Sequence, residues 1–361
     1  MGIVEEIIGV VLAFLILIDI FLLILYARAN RTIYTTALSH GMWKGLVWVS
    51  KFFGRGQELF LSFSGPAILM TVLLSWSLLM ALAAALIIHP NLGMGVQATQ
   101  GETPRDFITA LYVGGTSLAF TGVSDFSPKD SFFRLFFLLT SIIGVSLVSL
   151  NVTFLMELYS DLKERNALGL KVHILSSETG DAAEVIAHLG PQGSFDGGYN
   201  NIVDWAAETA TVKESHHFYP MLFFFRFREP FYSVSRTTLT SLDTVSLIKS
   251  ALDNEEFGWL KESAAVNDLW IASMKELQTL AKDFLPHENL KAPPDKKTQE
   301  RWRKRYQQGV KRMEAAGIKT VKDGEEDYIS LRKQWDRHIT LLAPKFAYDM
   351  NEIDTALAKV K

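Results

Sequence analysis

Residues 103–130 read TPRDFITALYVGGTSLAFTGVSDFSPKD, a stretch too long for a tight turn and only partly apolar. Thr103 suits an N-cap and Pro104 the first helical position, and the apolar series Phe107, Leu111 and Leu118 predicts a short helix over about 104–117. Such a helix cannot cross roughly 30 Å of hydrocarbon, which takes about 20 helical residues. Small residues around Gly122 follow it, then Asp125 and Pro128. Non-helical backbone at membrane depth survives only inside protein or beside a water-filled cavity, because lipid offers its N–H and C=O groups no partner. Between two membrane spans, a half-helix with an extended return implies a pore or a buried binding site.

The flanks have the composition of spans. Residues 66–89 and 132–158 are long apolar stretches, and Pro66 fits a first helical turn because its missing N–H would have no partner there. The first span is an earlier stretch, 7–26, interrupted only by Asp19, which makes 66–89 the second and 132–158 the third. A cleaved signal peptide is the rival reading of 7–26, yet Glu5 and Glu6 stand where a signal carries positive charge, and the apolar run is too long.

Averaged over 361 residues, 48% hydrophobic and 21% charged with a net charge of −3, the chain would pass for a soluble protein. The charges are unevenly placed. Residues 1–160 hold 17 of them and residues 161–361 hold 58, which predicts a membrane half and a polar half. Zero cysteines exclude disulfides and thiolate chemistry, and the charge balance gives no reason to expect nucleic acid as a partner. The link between the first two spans carries Arg28, Arg31, Lys44, Lys51 and Arg55 against Glu58 alone. Basic links are retained inside, so the reading is a multi-pass inner-membrane protein with its N-terminus outside and its C-terminus cytoplasmic. The expected division is 1–63, a first span and basic link; 64–160, a pore domain; and 161–361, a helical cytoplasmic domain. The fold class is all-α.

Over roughly 64–160 the chain resembles the pore domain of the potassium-channel family, of the bacterial two-span-pore type with an extra N-terminal helix. Ala110-Leu111-Tyr112 falls on that family's pore-helix Ala-Leu-aromatic, Phe120-Thr121-Gly122-Val123-Ser124-Asp125 on its Thr-Val-Gly-Tyr-Gly-Asp filter, and Pro128 on its proline. The resemblance implies an ion-conducting filter at Phe120, Thr121, Gly122, Val123 and Ser124, with Asp125 at the outer mouth and Gly144 near the gating hinge. Only Gly122 and Asp125 match outright. Phe120 replaces a threonine whose hydroxyl lines the innermost ion site, Val123 a tyrosine that props the filter, and Ser124 a glycine. A ring of backbone carbonyls survives these changes.

Other residues carry two readings each. Asp19 is costly inside a span and is either functional or hydrogen-bonded to a neighbouring helix. Ser146, Ser149 and Thr153 share one helical face of the third span, which suits either a water-filled inner cavity or helix–helix hydrogen bonds. Glu102, Asp106 and Asp130 join Asp125 near the outer mouth, where they either attract cations or are merely solvated.

Beyond residue 160 the periodicity predicts helices over 181–189, 200–211, 235–252, 255–281, 298–315 and 325–342, with loops at 190–199 and 286–296. There is little strand signal and no G-x-G-x-x-G or G-x-x-x-x-G-K-[ST] motif, which argues against a Rossmann-type gating domain. The aromatic run 218–227, too short to span and broken by Pro220 and Arg226, rests against the inner membrane face or another subunit, or packs in a core. The basic helix 296–319, with Trp302, Tyr306, Val310 and Met313 on one stripe, contacts anionic lipid or packs on 325–342, whose Glu325, Glu326 and Asp327 supply opposite charge. Neither Glu214-His216-His217 nor the acidic stretch 323–327 has metal-ligand spacing.

These readings converge on a homotetrameric cation channel in the lipid bilayer, because one re-entrant loop offers only one wall of a filter. Potassium or another monovalent cation is the permeant ion, with no cofactor and no metal site. The alternative is a non-conducting membrane sensor or scaffold that keeps the pore fold. No nucleophile–base pair, H-E-x-x-H motif or paired carboxylates point to an enzyme.

Overall fold

The computed structural model describes residues 2–26, 32, 34–119, 125–285, 293–321 and 323–358. Among them the regular structure is helical apart from one small two-stranded sheet. Three helices are long and apolar enough to cross a membrane: Gly2–Leu25, Ser64–Asn91 and Ser131–Leu175. The chain divides into two compact units, residues 1–45 with 66–159 and residues 46–65 with 160–361. The segment 46–65, whose residues up to 63 the sequence reading attaches to the first span and whose last two it gives to the pore domain, thus groups with the second unit.

In the first unit, α1 (Gly2–Ile20) relaxes into a π-turn over Phe21–Leu25. Glu5 and Glu6 meet His89 Nδ1 and Asn91 Nδ2, each at 2.7 Å, tying the start of α1 to the end of α4 (Ser64–Ile88). Between them α2 (Tyr34–Ser50) is a helix where the sequence suggested only a basic link. α5 (Phe107–Leu118) starts later than predicted. Its N-cap is Asp106, whose carboxylate accepts from Thr109 N at 2.9 Å and Thr109 Oγ1 at 2.7 Å. Thr103 instead accepts from Ala98 N at 3.0 Å.

The strands β1 (Val96–Ala98) and β2 (Phe126–Pro128) pair antiparallel, Gln97 opposite Ser127, and so close the loops that flank α5 on each other. α6 (Ser131–Leu175) runs 45 residues without a break, well past the predicted end of the third span.

The second unit includes α3 (Gln57–Ser62) and the helices from α7 onward. α7 (Ala182–Leu189) is capped by Asp181, and α8 spans Asp196–Phe218, starting soon after the turn Pro191–Gly193 and longer at both ends than predicted. α9 (Val234–Ala251) is buried almost throughout although it is rich in Ser and Thr. Four of its hydroxyls bond the carbonyl one turn back, those of Thr237, Ser241, Ser246 and Ser250, as Ser241 does to Thr237 at 2.9 Å and Ser246 to Leu242 at 2.7 Å, which satisfies these four in a dry core.

The predicted helix 255–281 is two, α10 (Asn254–Lys261) and α11 (Ala264–Phe284), because Ser263 caps a new start by accepting from Val266 N. α12 is Lys296–Ala315. The predicted helix 325–342 is likewise two, α13 (Glu325–Arg332) and α14 (Asp336–Leu342), followed by the short turns α15 (Met350–Ile353) and α16 (Thr355–Ala358). The core gathers around Trp205, Val245, Leu269, Trp302 and Tyr328, with a second cluster around Leu242, Leu277 and Trp335.

Candidate functional site

α5 owes its position to two glycines that let backbones approach. A Cβ on Gly114 would lie 2.9 Å from Ala85 N and 3.1 Å from Ala81 O of α4, where the small run Ala81, Ala83, Ala84, Ala85 leaves room. On α6, Gly144 meets the Leu118 carbonyl so closely that a Cβ there would collide with it. Ser141 Oγ, one turn earlier, donates to Ser117 O at 3.0 Å. Ala110, Val113, Ile88 and Phe133 complete this core, while Ile108, Leu111 and Tyr112 point away from it and are exposed.

Gly144 is therefore a close-approach position in an unbroken helix. Phe120, Thr121, Gly122, Val123 and Ser124 lie outside the described residues, and Asp125 stands just beyond them. Its backbone carbonyl accepts from Thr99 N at 2.8 Å, and its carboxylate is 3.4 Å from Tyr112 OH. Of the other acids near it, Asp106 and Asp130 are helix caps; Asp130 accepts from Phe133 N at 2.8 Å. The hydrogen bonds from Thr109 hold the Asp106 carboxyl below its usual range. Glu102 is exposed. Thr140, Gly144, Leu147, Phe154 and Leu158 form the buried stripe of α6, and Ser146, Ser149 and Thr153 lie on the opposite, exposed side. Thr153 Oγ1 donates to Ser149 O at 3.0 Å.

Asp19 is buried. It accepts from Trp76 Nε1 at 3.3 Å, from Thr35 Oγ1 and from Thr35 N at 3.5 Å, so one carboxylate joins α1, α2 and α4. The hydrogen-bonded reading of this residue is the one the geometry displays.

The second unit holds two constellations that the sequence reading missed. In the first, Asp243 of α9 binds Arg305 Nη2 at 3.0 Å, Arg332 Nη1 at 3.2 Å and Tyr328 OH at 2.6 Å, all four side chains being buried. Arg305 also reaches Asp181 at 2.6 Å, and Arg332 reaches Asp336 at 2.9 Å and Asp354. Burial pushes the Asp243 carboxyl up, but the two guanidiniums and the tyrosine outweigh it, and its pKa ends below the usual value. Asp336 goes the other way, raised by burial against the pull of Arg332. A lone acid in α9, with no other charge between Arg236 and Lys249, was the available signal.

In the second, Arg165 donates from Nη1 to Leu222 O at 2.7 Å and from Nη2 to Phe225 O at 2.9 Å. Ser64 Oγ reaches Phe224 O of the same turn at 3.1 Å, and Gly65 abuts the Phe225 ring. Arg226 lies over Tyr348, 4.5 Å from the ring centre. The aromatic run is thus core, with Met221–Phe225 buried, and it grips the residues that begin α4 and continue α6.

The stripe of α12 is also core: Trp302, Tyr306 and Met313 are buried and Val310 packs partly buried against them. Arg303 pairs with Glu325 at 3.1 Å and Glu326 at 2.8 Å. The 296–319 helix therefore packs on α13 through the very face that lipid contact required. His216 Nδ1 sits 2.5 Å from Glu276 Oε1, both buried, and His217 is not part of that pair. Among the described residues no group of three or more His, Cys, Asp or Glu could hold a metal ion.

An uncharacterized membrane protein of Bacillus subtilis (strain 168), YdjJ, is 22% identical over 286 residues, covering 77% of this chain and 78% of the relative. That length exceeds either half of the chain, so the likeness takes in part of each half. No family model and no solved structure matches the chain. The chain is an all-α membrane protein.

Proposed function

We propose that the chain is a homotetrameric cation channel whose ion path is lined by residues 120–124 and by the hydroxyl face of α6. The observation that carries this reading is α5. Its 12 residues extend about 18 Å, roughly half of a hydrocarbon core. It is nonetheless apolar, packed between two membrane-length helices, and set directly before the segment that resembles a potassium-channel filter. A re-entrant half-helix of this kind has a use when copies surround a common axis, and the exposed Ile108, Leu111 and Tyr112 supply a surface for neighbouring copies. Ser146, Ser149 and Thr153 then line an inner cavity. Val148, exposed on another side of α6, meets lipid. Basic residues between the first two spans support an outside N-terminus and a cytoplasmic second unit.

The permeant ion is potassium or another monovalent cation. With Phe120 in place of a hydroxyl-bearing residue, the filter has fewer good sites in a row, which weakens potassium over sodium. Mass measurement in detergent and reversal potentials in mixed potassium and sodium test this. A tetramer with modest potassium preference is expected. A monomer or dimer as the largest species overturns the pore, strong potassium selectivity overturns the fewer-sites argument, and a tetramer without current under any voltage, pH or calcium condition favours a non-conducting sensor or scaffold.

A further inference from the structure

The segment that leads into α4 displays side chains that a water-facing surface avoids. Trp48, Phe52, Phe53, Leu59 and Phe63 are 63%, 74%, 52%, 58% and 64% exposed. They are ordered among themselves: Trp48 meets Phe52 edge-on at 5.1 Å, and Phe53 stacks on Phe60 at 4.6 Å. Gly54, at φ 48°, takes a backbone conformation that L side chains rarely adopt and turns the chain between the two aromatic groups. Lys51 and Arg55 are exposed in the same stretch, and its single acid, Glu58, lies 3.8 Å from Arg228. The charge left over is positive.

Two features make this a fixed surface. Leu61 and Ser64 are buried, and the segment is pinned from within the second unit by the Ser64–Phe224 hydrogen bond and by Arg226 Nη1 on Glu58 O at 3.5 Å. The outward face is therefore held out. Chain continuity supplies its level, because α4, a membrane-length helix, begins at Ser64, one residue after Phe63. Aromatic rings beside Lys and Arg at the end of a span belong at the headgroup boundary, where rings enter the acyl margin and cations meet phosphate.

We propose that residues 48–63 dock on a leaflet of anionic phospholipid, with Trp48, Phe52, Phe53 and Phe63 at the acyl boundary and Lys51 and Arg55 on the headgroup phosphates. The surface is distinct from the 296–319 helix, whose apolar stripe is spent in the core. The docking holds for a membrane protein of any activity, so it stands or falls apart from the channel reading.

The absence of cysteine makes the test direct. The full chain carrying Phe52→Cys or Phe53→Cys, labelled with an environment-sensitive fluorophore, is reconstituted in phosphatidylcholine vesicles with and without phosphatidylglycerol, either lipid being brominated in its acyl chains. A blue-shifted emission is expected, quenched more strongly by brominated phosphatidylglycerol than by brominated phosphatidylcholine. That excess should be lost in Lys51→Ala/Arg55→Ala, while a label at the exposed Asn201→Cys stays unquenched throughout. Emission as in water overturns the docking. Equal quenching by both lipids in the native background overturns its anionic character, and a blue shift without bromine quenching, the signature of cover by a second copy, overturns the lipid as occupant.

Discussion

Gly144 of α6 lies against the carbonyl of Leu118, the last residue of α5, with no room for a Cβ between them. This contact holds the end of α5 against α6. Gly144→Ala should force the two backbones apart at a cost of about 1–3 kcal/mol, the usual range for overpacking. The measurement is thermal unfolding in detergent: a variant as stable as the native chain would deny the contact its role.

Asp19 links three helices by accepting from Trp76 and Thr35. Asp19→Leu should leave those donors unsatisfied in a dry environment, at about 1–3 kcal/mol for each. Asp19→Asn keeps one acceptor and should lose less. Thermal midpoints of the two variants that fall in the reverse order would rule out the hydrogen-bonding role.

Removing Asp243 should be among the most damaging changes in the second unit. Asp243→Asn takes from Arg305 and Arg332 the carboxylate charge they share, and breaking a buried ion pair by one member costs about 3–5 kcal/mol. Denaturant titration followed by tryptophan fluorescence measures it.

Acid should act through the same group. The Asp243 carboxyl sits below its ordinary value of 3.8 when folded, so its contribution is complete above that value and is lost as pH falls through the folded one. Asp336, raised by burial, has the opposite sign, favouring the protonated fold between 3.8 and its folded value. Native protein should lose stability on acidification below about pH 4, and Asp243→Asn should flatten that part of the curve. Equal acid sensitivity in both would contradict the assignment.

Arg165 holds the carbonyls of Leu222 and Phe225. Charge-assisted bonds of this kind are worth about 1.5–3 kcal/mol each, so Arg165→Ala should raise amide exchange across 219–227. Unchanged exchange there would show that the aromatic packing alone holds the turn.

How much of this was legible beforehand follows from the range of the forces involved. The three apolar stretches, the short helix between the second and third, and most helices beyond residue 180 are written in local composition and periodicity, because a span must exclude charge along its own length and an amphipathic helix must repeat its apolar residues. Capping is equally local, yet the expected cap Thr103 gives way to Asp106, whose carboxylate reaches Thr109. The breaks at Ser263 and Lys333–Trp335 stayed hidden because apolar periodicity continues across them.

Only the tertiary structure decided the partners. Whether the stripe of Trp302, Tyr306 and Met313 faces lipid or a core, whether the aromatic run 218–227 is surface or hub, and which arginines meet Asp243 all depend on contacts between residues far apart in sequence. The Asp243–Arg332 pair spans 89 positions and Arg165–Leu222 spans 57. A sequence states how polar a residue is. Burial of a charge is tolerated only where an opposite charge is delivered to it by another part of the chain, and that delivery exists only once the helices have packed.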